Sequence, residues 1–245
     1  DGRAQVVTTG DKRVRSYDLE TGRLVWEHDG LNMNPIPSPV AEDGMVFVTA
    51  GFRSSKLHAI RLAEAKGNLA GSTAIAWTLD RDTPYVPSPL VYDGMMYVPG
   101  PGDVIAAINA KTGDLVWEHR RKLPEGVNGG TNRNIAMWGS TLIDGSADNQ
   151  IYAVDVHTGN MVWETAVMKA KKRARSSAGP IIANGKVITG RQCQPDAGND
   201  ACIIFTSGST GTPKGVAVSH ACAAAFVDAE ARLFLADEPI GPGDR

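Results

Sequence analysis

Hydrophobic and polar residues alternate in short runs along most of this chain, and a period of two is typical of half-buried β-strands. The clearest example is residues 151–164, in which an alternating segment, a Thr-Gly turn and a second segment with a tryptophan follow one another. Gly159 can supply the positive φ that a short hairpin loop needs, and Asp155 can hydrogen-bond nearby backbone amides. The pattern therefore predicts a β-hairpin.

This hairpin pattern recurs along the chain. Two other well-formed copies contain Trp26 and Trp117, and a degenerate copy with a longer turn contains Trp77. Together with Trp163, these tryptophans are spaced 51, 40 and 46 residues apart. Four short strands in each repeat of this length are typical of one blade of a β-propeller. We therefore predict an all-β fold, a partial propeller of about four blades.

The repeated tryptophan has a structural role in this prediction. Its ring would bury a large area between neighbouring blades, and its indole N–H would donate to a backbone carbonyl. We expect Trp26, Trp117 and Trp163 to be structural residues of this kind, because buried tryptophans are usually part of a core.

Composition excludes several classes of protein. The 245 residues are 42% hydrophobic and carry 25 basic against 27 acidic side chains, which argues against a general nucleic-acid or membrane-surface binder. No run of 18 apolar residues occurs, so we expect no transmembrane span. The polar first residues contain no signal-peptide core. The five histidines show no metal-binding spacing, so no metal site is predicted.

The repeats resemble the quinoprotein family, whose propellers carry a tryptophan-docking motif of the form Ala-x-Asp-x-x-x-Gly-x-x-x-Trp. Residues 102–204 as a whole resemble a pyrroloquinoline quinone-dependent alcohol dehydrogenase, most clearly in residues 123–133, 144–149 and 176–193. Residues 3–100 are similar to looser repeats of the same superfamily. We therefore divide the chain into propeller domains at 1–100 and 101–204, with a junction near residues 99–102.

The resemblance implies a cofactor site. In the dehydrogenases the quinone lies on the propeller axis with a calcium ion, and an aspartate acts as the base. Arg133 stands where the family places an arginine against the quinone carboxylates, an arrangement that suits a guanidinium. Ser176 and Ser177 stand where the family offers a hydroxyl. The calcium ligands and the catalytic aspartate are not found, so we name no catalytic residue and expect this fragment not to bind quinone or calcium by itself.

Residues 205–245 have a different character. They resemble the phosphate-loop segment of AMP-forming adenylating enzymes, followed by a helix from about residue 220 to 235, so the chain looks chimeric and its tail contains an α-helix. Glycines let backbone amides approach phosphate oxygens, and hydroxyls and a lysine add donors and charge. The candidate loop residues, with weak ATP binding as their expected function, are Thr206, Ser207, Gly208, Ser209, Thr210, Gly211 and Lys214. We expect this segment to interrupt the hairpin that the repeat pattern would otherwise place there.

Cys193 and Cys202 flank a loop and could form a disulfide in an oxidising compartment, or remain free thiols in a reducing one. The family resemblance implies a periplasmic protein.

Three functions remain open at this point. The first is a fragment that resembles an alcohol dehydrogenase, inactive as it stands, whose substrate class would be a small alcohol. The second is a non-catalytic propeller that binds or scaffolds proteins. The third is an ATP- or AMP-binding segment. Open blade edges would also permit self-association.

Overall fold

The computed structural model describes residues 4–10, 12–129, 133–167 and 179–190, together with the backbone of 200–207 and 213–219. Within these ranges the regular elements are all strands, and they form five four-stranded sheets. This confirms the predicted all-β, partial-propeller fold. The α-helix predicted near residues 220–235 lies outside the described residues.

The first two sheets are interleaved in sequence. Sheet 1 has the order β1-β2-β3-β7 and consists of β1 (Gln5–Gly10), β2 (Arg13–Asp18), β3 (Leu24–Asp29) and β7 (Gly67–Asn68). Sheet 2 has the order β4-β5-β6-β8 and consists of β4 (Val40–Glu42), β5 (Met45–Ala50), β6 (Lys56–Arg61) and β8 (Ile75–Leu79). The pairing of β7 with β3 is parallel, whereas the other strand pairs are antiparallel.

The remaining three sheets each use four consecutive strands in meander order. Sheet 3 consists of β9 (Leu90–Tyr92), β10 (Met95–Gly100), β11 (Val104–Asn109) and β12 (Leu115–Arg120). Sheet 4 consists of β13 (Ala136–Trp138), β14 (Thr141–Gly145), β15 (Gln150–Asp155) and β16 (Met161–Ala166). Sheet 5 consists of β17 (Ile181–Ala183), β18 (Lys186–Thr189), β19 (Asp200–Ser207) and β20 (Pro213–Ser219).

The Thr-Gly turns form because one polar side chain holds the backbone in place. The Asp155 carboxylate accepts hydrogen bonds from the amides of His157 and Thr158, at 3.0 and 2.9 Å, and from the Thr158 hydroxyl at 2.9 Å. Gly159 then takes a φ of 70°, a left-handed conformation that glycine adopts without steric cost. Asp18 and Asn109 cap the corresponding turns in the same way.

The Trp117 and Trp77 indoles share one docking geometry. The Trp117 indole N–H of sheet 3 donates to the Val156 carbonyl of the next repeat at 2.9 Å, and Trp77 donates to Ala110 at 3.0 Å. Each indole covers the turn glycine of the following sheet. A Cβ built on Gly159 would lie 2.6 Å from the Trp117 ring, so this position admits only glycine.

We call the interface between two consecutive sheets a seam.

Trp26 has a different kind of partner. It is fully buried among Leu69, Ala74 and other core residues, yet its N–H donates to the Gln5 side chain of its own sheet at 3.0 Å. A long connection, which includes β7, takes the place of a Thr-Gly turn in sheet 2. The indole therefore lacks the usual docking site, and the expected backbone carbonyl is replaced by an amide side chain. Trp163 is half-buried and packs on the core cluster that contains Val187, as a structural residue should.

Two details differ from the sequence expectations. The described strands form five sheets rather than about four, because residues 5–29 form most of a sheet of their own. Residues 205–219 were expected to interrupt a hairpin, but β19 and β20 pair in antiparallel register from Asp200↔Ser219 to Ser207↔Pro213. Short apolar runs rich in β-branched residues, at 202–205 and 216–218, favour strands and complete sheet 5.

Candidate functional site

Arg133 lies just before β13, the first strand of sheet 4, and is exposed. Its neighbour Asn134 donates a hydrogen bond from Nδ2 to the Pro180 carbonyl at 2.9 Å, which ties the segment to the start of sheet 5. A Cβ on Gly179 would overlap the Asn134 side chain, so glycine is required opposite it. The approach to the first strand of sheet 4 is therefore held in place while the adjacent guanidinium faces solvent.

The described residues meet one requirement of a quinone site and not another. Arg133 has no ion pair with a described carboxylate, so its guanidinium is available to a carboxylate of a bound cofactor. Within the described ranges, no group of three His, Cys, Asp or Glu side chains could hold a metal ion. Ser176 and Ser177, the other two predicted quinone contacts, lie outside the described residues.

The predicted phosphate loop joins β19 to β20. Thr206 and Ser207 lie at the end of β19, and Lys214 lies in β20, where its backbone pairs with Thr206. Gly208, Ser209, Thr210 and Gly211 lie outside the described residues. Cys202 is in β19 opposite Val218, whereas Cys193 lies outside the described residues, so the disulfide stays a prediction.

A buried polar cluster in the seam between sheets 3 and 4 was not predicted. The Arg121 guanidinium, with 7% of its side chain exposed, donates to both carboxylate oxygens of Asp148, at 2.9 and 3.0 Å. It also donates to Glu164 at 2.9 Å and lies over the Tyr152 ring, 5.1 Å from the ring centroid. This bidentate geometry, together with the cation–π contact, fixes the end of β12 against the β14–β15 turn.

A second set of hydrogen bonds crosses the same seam. Asp103, which is fully buried in the β10–β11 turn, accepts from the Ser146 hydroxyl and from the Ala147 amide, the latter at 3.1 Å. On the sheet 4 side, the Tyr152 hydroxyl donates to Asp144 at 3.2 Å. We define the polar cluster as these residues and the arginine network, namely Asp103, Arg121, Asp144, Ser146, Asp148, Tyr152 and Glu164.

Burial and hydrogen bonding shift the pKa values in this cluster. Burial and the neighbouring carboxylates of Asp144 and Asp103 raise the pKa of Tyr152 well above its usual value, so the phenol stays neutral. For Asp148, burial opposes ionisation, but hydrogen bonds from Ser146 and Arg121 outweigh it and the net pKa is lowered. The cluster therefore joins two sheets through charged hydrogen bonds, although Asp103 Oδ1 is buried without a hydrogen-bond partner among the described residues.

The seam between sheets 1 and 2 contains a pair of histidines at the corresponding place. The rings of His28 and His58 meet edge to face, with centroids 4.8 Å apart. His58 is 95% buried; its Nδ1 lies 3.0 Å from the Thr78 hydroxyl and its Nε2 3.3 Å from the Gly30 carbonyl. Burial lowers the pKa of His58 to about 4 and also lowers that of His28, so both rings are neutral at pH 7. His28 is half-buried because sheet 2 packs on it.

Residues 10–237 match the PQQ_2 family model, which is described as outer membrane protein assembly factor BamB. Because this match covers most of the chain, the protein belongs to that family. The match extends through residues 205–237, the segment that had suggested a second origin. Neither this match nor the relatives described next support the resemblance to adenylating enzymes or a chimeric chain.

Similar curated proteins are quinone-dependent alcohol dehydrogenases. The quinoprotein alcohol dehydrogenase PedH of Pseudomonas putida is 35% identical over 105 residues, which are 42% of this chain and 18% of that protein. The quinohemoprotein alcohol dehydrogenase ADH-IIG of the same species is 33% identical over 128 residues, again covering 18% of the relative. The chain thus spans about a fifth of the length of these relatives.

Among solved structures, a europium-containing methanol dehydrogenase superposes with a TM-score of 0.52 and 14% identity, covering 76% of this chain and 40% of the other. This likeness supports the fold alone. The relatives and the family model agree on a propeller built from quinoprotein repeats. In the described part of the chain, no helix is long and apolar enough to cross a membrane.

Proposed function

We propose that this chain forms part of the propeller wall of a periplasmic quinone-dependent alcohol dehydrogenase, in which Arg133 binds a carboxylate of pyrroloquinoline quinone. The observation that carries the proposal is the exposed, unpaired state of Arg133 among the described residues, at a position fixed by the Asn134–Pro180 hydrogen bond. The 33–35% identity to two such dehydrogenases supports it.

In this proposal Arg133 orients the cofactor, because a guanidinium can donate two parallel hydrogen bonds to one carboxylate. Ser176 and Ser177 would add hydroxyl contacts. When bound with its calcium ion, the quinone supplies the chemistry by which an alcohol is oxidised to an aldehyde. The described residues provide no group of three metal-ligating side chains. The sequence alone led us to expect no quinone binding by this fragment. The proposal departs from that expectation in quinone affinity only, and turnover is not proposed for this chain by itself.

A titration with the quinone and Ca²⁺, followed by difference absorption, tests this proposal. Arg133→Ala should weaken quinone uptake at least tenfold, because a charge-assisted pair of about 1.5–3 kcal/mol is lost. Arg120→Ala removes another exposed arginine, from strand β12, and should leave uptake unchanged. Equal affinities for wild type and Arg133→Ala, or no uptake by wild type, would reject the quinone site.

The family match favours a second candidate, a non-catalytic propeller that binds or scaffolds other proteins. This candidate predicts a folded protein that takes up no quinone in the same titration. Its outer strands would be available for self-association, which light scattering over a tenfold range of concentration would detect as a rising mass. A constant monomer mass would exclude self-association and leave binding to another protein.

Nucleotide binding by the loop between β19 and β20 stays a prediction. Millimolar ATP should raise the melting temperature of wild type and not of Lys214→Ala. No shift in either protein would remove this function from consideration.

A further inference from the structure

Equivalent positions in the first three seams can be identified from the strand register. The alanine that pairs with each tryptophan is Ala59 opposite Trp77, Ala107 opposite Trp117 and Ala153 opposite Trp163. One residue before these alanines stand His58, Ala106 and Tyr152. Two residues after the tryptophan of the preceding sheet stand His28, Leu79 and His119.

Two of these seams fill both positions with rings. His28 faces His58 with centroids 4.8 Å apart, and His119 stacks on Tyr152 with centroids 5.8 Å apart. The seam between sheets 2 and 3 has Leu79 and Ala106 instead, so neither position carries a ring. The difference in side-chain volume must appear as space or be taken up by movement of the sheets.

The smaller side-chain volume of Leu79 and Ala106 leaves empty space in the seam between sheets 2 and 3. A cavity of about 70 Å³, open to solvent, lies in this seam, and Leu79 and Ala106 are both on its wall. Val98, Ile108 and Leu115 add apolar surface to the wall, whereas Arg81, Asp82 and Glu118 add charge. The volume is about that of two water molecules, so a larger molecule would place only part of itself inside. Because apolar and charged side chains share the wall, the site is suited to an apolar group with a polar end.

The seam between sheets 3 and 4 indicates which polar group would suit this cavity. There His119 Nδ1 lies 2.8 Å from the carbonyl oxygen of Gly159, the glycine on which Trp117 docks. The equivalent glycine, Gly113, is covered by Trp77 and lies on the cavity wall. Leu79 stands in place of the histidine and has no donor. A ligand that supplies a ring and one donor would take the place that Tyr152 and His119 fill in the seam between sheets 3 and 4.

We propose that the cavity between sheets 2 and 3 binds a small monocyclic aromatic molecule that carries one hydrogen-bond donor. The ring enters beside Ala106 in the space that the rings of His58 and Tyr152 occupy in the other seams. Because the cavity is open, the far edge of the ring can remain in solvent. This site is separate from Arg133 and does not depend on quinone binding.

Phenol and toluene are the probes for this proposal, because toluene has a similar ring and no donor. In amide-proton NMR titrations of the whole chain, phenol should give saturable shifts centred on Leu79, Ala106 and Ile108, and toluene should bind at least threefold more weakly. Ala106→Tyr places a ring in the cavity and should weaken phenol binding at least tenfold. Ala63→Tyr adds the same ring in an exposed turn and should bind phenol like wild type.

The shift map of the wild-type chain is a sufficient test even if Ala106→Tyr does not fold. Shifts that do not saturate, or that are centred on residues outside this seam, would overturn the proposal. Equal phenol affinity in Ala106→Tyr and wild type would overturn it as well, and equal affinity for phenol and toluene would refute the role of the donor.

Discussion

The seams between sheets 1 and 2 and between sheets 3 and 4 share a geometry but not a chemistry. In both, a ring from the last long strand of one sheet meets a ring from the third strand of the next. In the later seam, Arg121 and Asp148 form a buried bidentate ion pair beside the contact, and Arg121 also donates to the exposed carboxylate of Glu164. In the earlier seam, two neutral imidazoles meet, and the adjacent Lys56–Asp80 ion pair is partly exposed.

The comparison shows that the repeat determines where two sheets touch, whereas individual side chains determine what stabilises the contact. A buried ion pair needs both of its members, because either one alone would be a charge without compensation. A neutral histidine pair is stable only while both rings stay unprotonated. The two seams should therefore respond differently to substitution and to acid.

The largest expected effect is the loss of Arg121. Arg121→Ala leaves Asp148 buried without its bidentate partner and should lower the free energy of unfolding by about 3–5 kcal/mol. The neighbouring Arg120, whose side chain is 60% exposed, pairs with Glu118 on the surface. Arg120→Ala should therefore cost at most about 1 kcal/mol. Urea denaturation of the two variants at pH 7 measures this difference, and similar losses would mean that the polar cluster adds nothing beyond a surface pair.

A somewhat smaller effect is expected at the docking glycine of sheet 4. Gly159→Ala introduces both a left-handed alanine and a Cβ that collides with the Trp117 ring, so we expect a loss of about 2–4 kcal/mol. Gly22 has nearly the same φ, 67° against 70°, and no atom within 4 Å of an added Cβ. Gly22→Ala should cost only the backbone strain, about 1 kcal/mol. Thermal denaturation of the pair separates packing from strain, and equal shifts in melting temperature would contradict the docking role of Gly159.

The smallest effect concerns pH in the first seam. The pKa of His58 is about 4 in the folded chain, below the roughly 6.5 of an unfolded histidine, because burial opposes its charge. As the pH falls, the unfolded chain takes up this proton first, so stability is lost between about pH 6.5 and 4. His28, Lys56, Asp80 and Asp29 face this pair and contribute to its electrostatics.

His58→Phe should reduce the stability difference between pH 7 and pH 5 by about 2 kcal/mol, because the titrating ring is gone. His157 is exposed in a turn, and His157→Phe provides the control. Denaturant titrations at both pH values give the four free energies required. If His58→Phe keeps the wild-type pH dependence, the titration of the His28–His58 seam is not what weakens the chain in acid.

The repeat pattern was sufficient to predict the all-β, partial-propeller fold, because alternation, Thr-Gly turns and tryptophan spacing are local signals. The partner of Trp26 could not be predicted in this way. Its acceptor, Gln5, lies at the start of the same sheet, and the choice follows from the loss of a docking turn in sheet 2. The hairpin of β19 and β20 was not predicted, because the glycine-rich motif in residues 206–214 resembles a phosphate loop although the segments on either side of it are apolar.

The polar cluster could not be predicted either, because its members come from separate turns and strands of two repeats. Asp103 and Ser146 are 43 residues apart, and Arg121 and Asp148 are 27 apart. One available signal was the charge at Arg121, directly after a strand that faces the next repeat. For the candidate quinone site, sequence similarity located Arg133, but only the Asn134–Pro180 contact shows that its backbone is tied down.

The docking contacts also have a direction along the chain. Trp77 donates to a carbonyl 33 residues further on, and Trp117 to one 39 residues further on. During synthesis from the N-terminus, the packing of each of these indoles can therefore be completed only after the next hairpin has left the ribosome. Assembly would proceed one blade behind translation, and a nascent chain halted between Trp117 and Val156 would expose an aromatic surface to any chaperone nearby.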